Sequence, residues 1–191
     1  MKRIFRTLLH LFTASLLLVA GCATRTASVP VPSGFLTRYD QLHPVDATTW
    51  RYVDAAQIRT CRKFKIEPAQ VLVKSYDGSP VGDEGRMAAD YVAMALVKAL
   101  SDRYQITSIP GPNVGSLRIA ITGAEKRGTQ LELRMEGEVL DSATHAQMAA
   151  LMTSELSEEH DKNWSSQLTF RQMVTTWAAD FRHMLDEVQG Q

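Results

Sequence analysis

The sequence predicts an α+β domain, with two long helices packed on one face of a mostly antiparallel sheet of about four to five strands. Three observations predict it. Residues 116–153 alternate apolar and polar side chains in successive runs separated by turn residues. Two stretches, from about Asp83 to Arg103 and from about Leu168 to Val188, repeat apolar side chains at steps of three and four. The order of these segments is strand, helix, strand, three-strand meander, helix, which lets both helices cover the same sheet face.

The chain opens with Lys2, Arg3 and Arg6, then an apolar run from Leu8 to Ala20 broken by His10, Thr13 and Ser15. That run is shorter than the roughly 20 apolar residues a spanning helix needs. A basic start and a short apolar core read as a secretory signal peptide. Val19-Ala20-Gly21-Cys22 resembles the bacterial lipobox. The resemblance implies removal of residues 1–21, a diacylglyceryl group on the Cys22 thiol and a further acyl chain, such as palmitate, on its new amino group. Two or more chains hold a protein stably on a membrane. Ala23 rather than Asp follows the Cys, which favours the outer membrane with the domain facing the periplasm. Residues 22–33 then read as the lipidated Cys and a tether. Pro30 and Pro32 prevent helix there, and the reach is at most ~3.5 Å per residue.

Residues 34–191 read as a single domain, with 34–62 as an N-terminal arm. Phe35, Leu36, Tyr39, Leu42 and Trp50 are too apolar for a free linker. A non-regular arm packed on the domain is expected. The alternative makes Phe35, Leu36, Tyr39 and Trp50 a partner-binding surface. A strand region follows from about Lys63 to Tyr76, interrupted by Pro68. Asp77-Gly78-Ser79-Pro80 marks a turn. In the first helix Met87, Tyr91, Ala95 and Ala99 join Val92, Leu96 and Leu100 in one broad apolar stripe, and Asp83 or Glu84 suits its positive N-terminus. Tyr104 to Ile109 reads as a short strand, and Pro110-Gly111-Pro112-Asn113 breaks the chain.

Leu117, Ile119 and Ile121 then alternate with Arg118, Ala120 and Thr122. Leu131, Leu133, Met135, Gly137 and Val139 alternate with Glu132, Arg134, Glu136 and Glu138. The Glu-bearing face is expected to be solvated rather than to hold a metal, because Arg134 interleaves it. Asp141 to His145 turns the chain into a returning strand, Gln147 to Thr153. Ser154 to Gln167 reads as a loop, with Ser165 or Ser166 as a cap for the last helix. In that helix Phe170, Met173, Val174, Trp177, Phe181, Met184, Leu185 and Val188 define a core-facing stripe.

Charge and cysteine content narrow the function classes. The full chain balances 21 basic against 21 acidic residues, and loss of the signal segment leaves an acidic excess. No basic surplus points to nucleic acid. With Cys22 lipidated, Cys61 has no partner in its own chain, so no disulfide framework and no cysteine-based metal site is expected. Cys61 reads as a small buried hydrophobe.

His43, His145, His160 and His183 form no His-x-His or His-x-x-x-His arrangement. Gly111-Pro112-Asn113-Val114-Gly115 lacks the Lys of a phosphate loop, and no Gly-x-Ser-x-Gly elbow occurs. No catalytic residue, cofactor or metal ligand is therefore assigned.

Ser33-Gly34-Phe35-Leu36, Trp50-Arg51-Tyr52-Val53-Asp54, Pro110-Gly111-Pro112 and Leu117-Arg118-Ile119-Ala120-Ile121-Thr122, taken with the lipobox, resemble a bacterial lipoprotein family catalogued as domain of unknown function 3313. Glu138-Val139-Leu140-Asp141-Ser142-Ala143-Thr144 also resembles an Asp-Ser-x-Thr-Gly hairpin turn of periplasmic lipoproteins, with His145 in place of the Gly. The resemblance implies no catalytic residues, and it implies structural kin that bind other envelope proteins. The expected function is a non-catalytic binding or scaffolding module of the outer membrane, with the membrane as one partner through its lipid and other envelope proteins as further partners. A subunit of a secretion or transport assembly, and an envelope-polymer enzyme with an unrecognised site, stand as alternatives.

Overall fold

The computed structural model describes residues 29–73, 82–127, 130–157 and 168–190. The Asp77–Pro80 turn, the Ser165/Ser166 cap and the lipobox lie outside the described residues. The chain forms β1 (His43–Pro44), β2 (Thr49–Val53), α1 (Ala55–Ile58), β3 (Lys63–Ile66), β4 (Gln70–Val71), α2 (Asp83–Leu100), β5 (Gln105–Ile106), β6 (Val114–Arg127), β7 (Gln130–Asp141), β8 (Gln147–Leu156) and α3 (Leu168–Gln189).

This corrects the expected sheet of about four to five mostly antiparallel strands. Eight strands form one mixed sheet in the order β1-β2-β8-β7-β6-β3-β5, with β4 also on β6. The alternating segments do form the antiparallel meander β6-β7-β8. On one side of it the arm contributes β2, antiparallel to β8, so the arm is not irregular throughout. On the other side β3 and β4 run parallel to β6, and β5 runs parallel to β3. Parallel neighbours need a long crossover, and the segment carrying α2 provides one between β3 and β5. The additional strands are two to five residues long. Runs that short carry no readable alternation, and their pairing partners are distant in sequence.

The two sheet faces bury different things. Leu117, Ile119 and Ile121 of β6, Leu133, Met135 and Val139 of β7, and Ala149 and Leu151 of β8 join one apolar cluster with the two long helices. The α3 stripe fills its centre, with Phe170, Trp177, Phe181 and Leu185 at 0–1% exposure. The α2 stripe is narrower than its sequence periodicity predicts. Ala88, Val92, Leu96 and Leu100 are buried, but Met87 is half exposed. The opposite face carries a smaller cluster in which Phe35, Leu36 and Leu42 of the arm cover Ala120, Ala150 and Met152.

Gly137 lets α3 approach the sheet. A Cβ there would stand 2.8 Å from Trp177 Cη2 and 2.9 Å from Cζ2, and the Trp177 and Phe181 rings are 5.3 Å apart. Backbone and indole are both fixed, so neither can yield cheaply. Gly137→Ala is expected to lose about 1–3 kcal/mol of stability through overpacking, measured by urea denaturation against the parent chain.

Candidate binding site on the arm face

The Glu-bearing face of β7 is not solvated. Glu136 and Glu138 are both 0% exposed, and Glu132 is 1% exposed. Alternation shows that a strand has two faces but not what lies over the second one; here the arm lies over Glu136 and Glu138, while Ser154 and Arg127 meet Glu132. A buried carboxylate is costly unless it is paired and hydrogen-bonded, and the donors come largely from residues 33–39. Ser33 N donates to Glu136 Oε1 at 2.9 Å, and Tyr39 Oη donates to Glu136 Oε2 at 2.6 Å. Thr37 donates to Glu138 from both N and Oγ1, at 2.9 and 3.0 Å. Arg118 Nη1 and Gln147 Nε2 complete the set around Glu138 at 2.7 and 2.8 Å.

The arm is also closed on itself. Tyr39 Oη accepts from Gly34 N and Leu36 N at 2.9 and 3.1 Å. Gly34 has φ of 89°, a left-handed conformation that favours glycine. Burial and the hydrogen bond to Glu136 push the Tyr39 phenol above its usual range. The Arg118 guanidinium sits 4.9 Å from the centre of the Phe35 ring, so one cation is held by a buried carboxylate and an aromatic face.

Beside the clasp is a hollow of about 630 Å³, whose lining includes Phe35, Thr37, Glu67, Ser116, Arg118 and His145. Lys65 Nζ and Ser116 Oγ both lie 2.8 Å from Glu67 Oε1, and Lys65 holds that carboxyl below its usual range. His145 has φ of 62°, so the turn takes the left-handed backbone although His stands where the resembled pattern has Gly. Asp141 Oδ1 accepts from Ala143 N, Thr144 N and Thr144 Oγ1, which fixes the turn. Ser142 Oγ both accepts from Gly111 N and donates to Gly111 O, at 2.9 Å each, tying this turn to Pro110-Gly111-Pro112. The hollow thus presents a guanidinium, an imidazole and a carboxylate around an aromatic edge. That chemistry suits a polar or charged partner surface.

Of the residues singled out in the sequence, Cys22 and His160 lie outside the described residues. Phe35 and Leu36 are 7% and 5% exposed, inside the clasp, while Tyr39 and Trp50 are half-buried at its border. Cys61 is buried with its Sγ 4.0 Å from Met148 Sδ, and burial raises its thiol. His43 is exposed, and His183 pairs with Glu187 at 3.4 Å. Sequence reasoning missed Glu136, Glu138 and Arg118. The available signal was their shared face: in the β6–β7 register Arg118 stands directly across from Glu138. Among the described residues no group of three His, Cys, Asp or Glu side chains is placed to hold a metal ion. No helix among them is long and apolar enough to cross a membrane.

A protein-family model matches residues 31–131, more than half of the chain. The chain belongs to the family described as protein of unknown function, DUF3313. The matched region begins in the last residues of the tether, covers the arm and includes Arg118; it ends before Glu136 and Glu138. No curated protein is matched. Similar solved structures include a PelC dodecamer from Paraburkholderia phytofirmans, at 15% identity and TM-score 0.47 over 72% of this chain and 96% of that one. Another is the lipoprotein GNA1162 from Neisseria meningitidis, at 13% identity and TM-score 0.36 over 63% and 95%. A third is protein XCC0632 from Xanthomonas campestris, at 12% identity and TM-score 0.45 over 69% and 86%. Likenesses this distant say nothing about activity.

Tyr39→Phe removes the donor to Glu136 and the acceptor of two arm amides. It is expected to cost about 1–3 kcal/mol, read as a lower urea midpoint. On the helix face, Glu155 of β8 is paired in register with Leu133. Burial, and secondarily Asp180 of α3, raise its carboxyl from 4.5 to about 7. The folded chain therefore holds this proton more tightly than the unfolded chain, and its stability falls as pH rises through that interval. Glu155→Gln is expected to be more stable than the parent by about 1–3 kcal/mol near pH 8, with the gap closing near pH 4, measured by denaturation at both pH values.

Proposed function

We propose that this protein is a non-catalytic lipoprotein, anchored through Cys22 to the inner face of the outer membrane, that serves as a binding or scaffolding module of the cell envelope. The arm is the observation that carries this reading. The segment that directly follows the tether is locked to the sheet by two buried carboxylates. Cys22 lies eleven residues before Ser33, so a lipid there would hold the domain within roughly 40 Å of the membrane. Glu136 and Glu138 are engaged by donors of the arm, Arg118 and Gln147, so their chemistry is spent on structure rather than on proton transfer. The hollow beside Arg118 and His145 is the surface offered to an envelope partner, and the clasp holds Phe35 and Thr37 at its edge.

Cys22→Ser is expected to move the protein from the outer-membrane fraction to the soluble periplasmic fraction. This is measured by sucrose-gradient fractionation and immunoblotting. A Cys22→Ser chain that still sediments wholly with outer membrane would overturn the anchor.

A further inference from the structure

Among the described residues, one side of α2 carries apolar side chains without cover. Met87, Met94 and Val97 are 50%, 62% and 41% exposed. With Asp83, Asp90 and Ser101 they fall at alternating steps of four and three, so they line one side of the helix. A groove of about 530 Å³ between α2 and α3 adjoins this ridge, with Ala95, Ala99 and Ala179 among its lining and Tyr91 and Lys98 at its α2 side. Small side chains there leave room for another molecule's side chains. A protruding apolar ridge thus lies beside a groove whose alanines are flanked by Lys98, Arg182, His183 and Asp186.

The charges on the ridge are symmetric about its centre. Asp90 stands four residues before Met94, and Lys98 stands four residues after it. Among the described residues neither has a salt-bridge partner. Asp90, Met94 and Lys98 form one row at i, i+4 spacing, the ridge used in the commonest class of helix crossing.

We propose that this face is the interface of a two-fold homodimer in which α2 crosses α2 of a second copy, antiparallel, at Met94. A two-fold interface is self-complementary, so each contact occurs twice. About an axis at Met94, Asp90 of each copy meets Lys98 of the other. The two Met94 side chains, each at the edge of its own groove, meet at the axis. Methionine suits such a seam because it is flexible and fills irregular gaps. An acidic helix from another protein would satisfy Lys98 but face Asp90 with like charge. An acyl chain would pair with neither. A second copy answers both charges and the apolar ridge at once. Confinement to a membrane surface raises the effective concentration of copies, so a modest interface suffices there.

The test uses the full-length protein expressed in cells, where the periplasm oxidises nearby thiols. Met94→Cys places a thiol at the axis, and Ile109→Cys, at a site 72% exposed and outside the proposed interface, reports background crosslinking. The expected result is a disulfide-linked species of twice the chain mass for Met94→Cys and not for Ile109→Cys. Adding Lys98→Glu to Met94→Cys is expected to lower the crosslinked fraction about tenfold through like-charge contact with Asp90, and adding Asp90→Lys as well restores it. A Met94→Cys chain that crosslinks no more than Ile109→Cys overturns the dimer. So does a crosslinked species whose mass identifies a different protein, or a charge-swapped pair that fails to recover. Copper phenanthroline added to the lysed cells supplies the oxidant whatever compartment the chain occupied, so the outcome is separate from that of Cys22→Ser.

Discussion

Two carboxylates inside a sheet face constrain the rest of this molecule. Glu136 and Glu138 are fully buried on β7, and charged groups in that position must be met by donors. Arg118 and Gln147 meet part of the need from neighbouring strands. The remainder comes from Ser33, Thr37 and Tyr39, more than ninety residues away in sequence. The arm therefore belongs to the fold: removing it would leave Glu136 without the donors Ser33 and Tyr39. Sheet and arm stabilise each other, and the point at which the tether enters the domain is fixed as a result.

The two faces of the sheet are held by different physics. The helix face is apolar, and its stability comes from packing of α2 and α3 over β6, β7 and β8. Such contacts tolerate exchange among apolar side chains of similar volume. The arm face is held by directed hydrogen bonds between charged and polar groups, with a small apolar patch under Phe35 and Leu36. Directed bonds demand a particular partner at each atom. The motifs that define the family resemblance sort accordingly. Ser33 and Gly34 shape the clasp, Arg118 joins it to Phe35, and Pro110-Gly111-Pro112 is tied to the turn at Ser142. Trp50 and Tyr52, on the arm's own strand β2, pack against the cluster of Phe35, Leu36 and Leu42, and Asp54 caps α1.

Much of this was legible in local sequence. The α3 stripe was readable because seven of its residues, Phe170 to Leu185, repeat at helical spacing and all are buried. The meander was readable because long antiparallel strands with unlike faces alternate. Cys61 was readable as a small buried residue. The short strands were not, since β1, β4 and β5 have two residues each. Met87 was misplaced on the core side of α2 because side-chain type reports a preference for burial, whereas burial itself depends on what stands opposite.

By itself the sequence determined the elements whose signals are periodic: two long helices, three long strands, and the apolar stripe that each turns to a core. It also determined the lipobox-like start and the lack of any contiguous catalytic motif. Only the tertiary structure decided that the sheet is mixed, that the arm supplies a strand to it, and that a row of glutamates is covered rather than wet. The physical reason is range. Periodicity and propensity act over a few residues, whereas strand order and the covering of a face depend on contacts such as Ser33 with Glu136 and Thr37 with Glu138, which no local pattern announces.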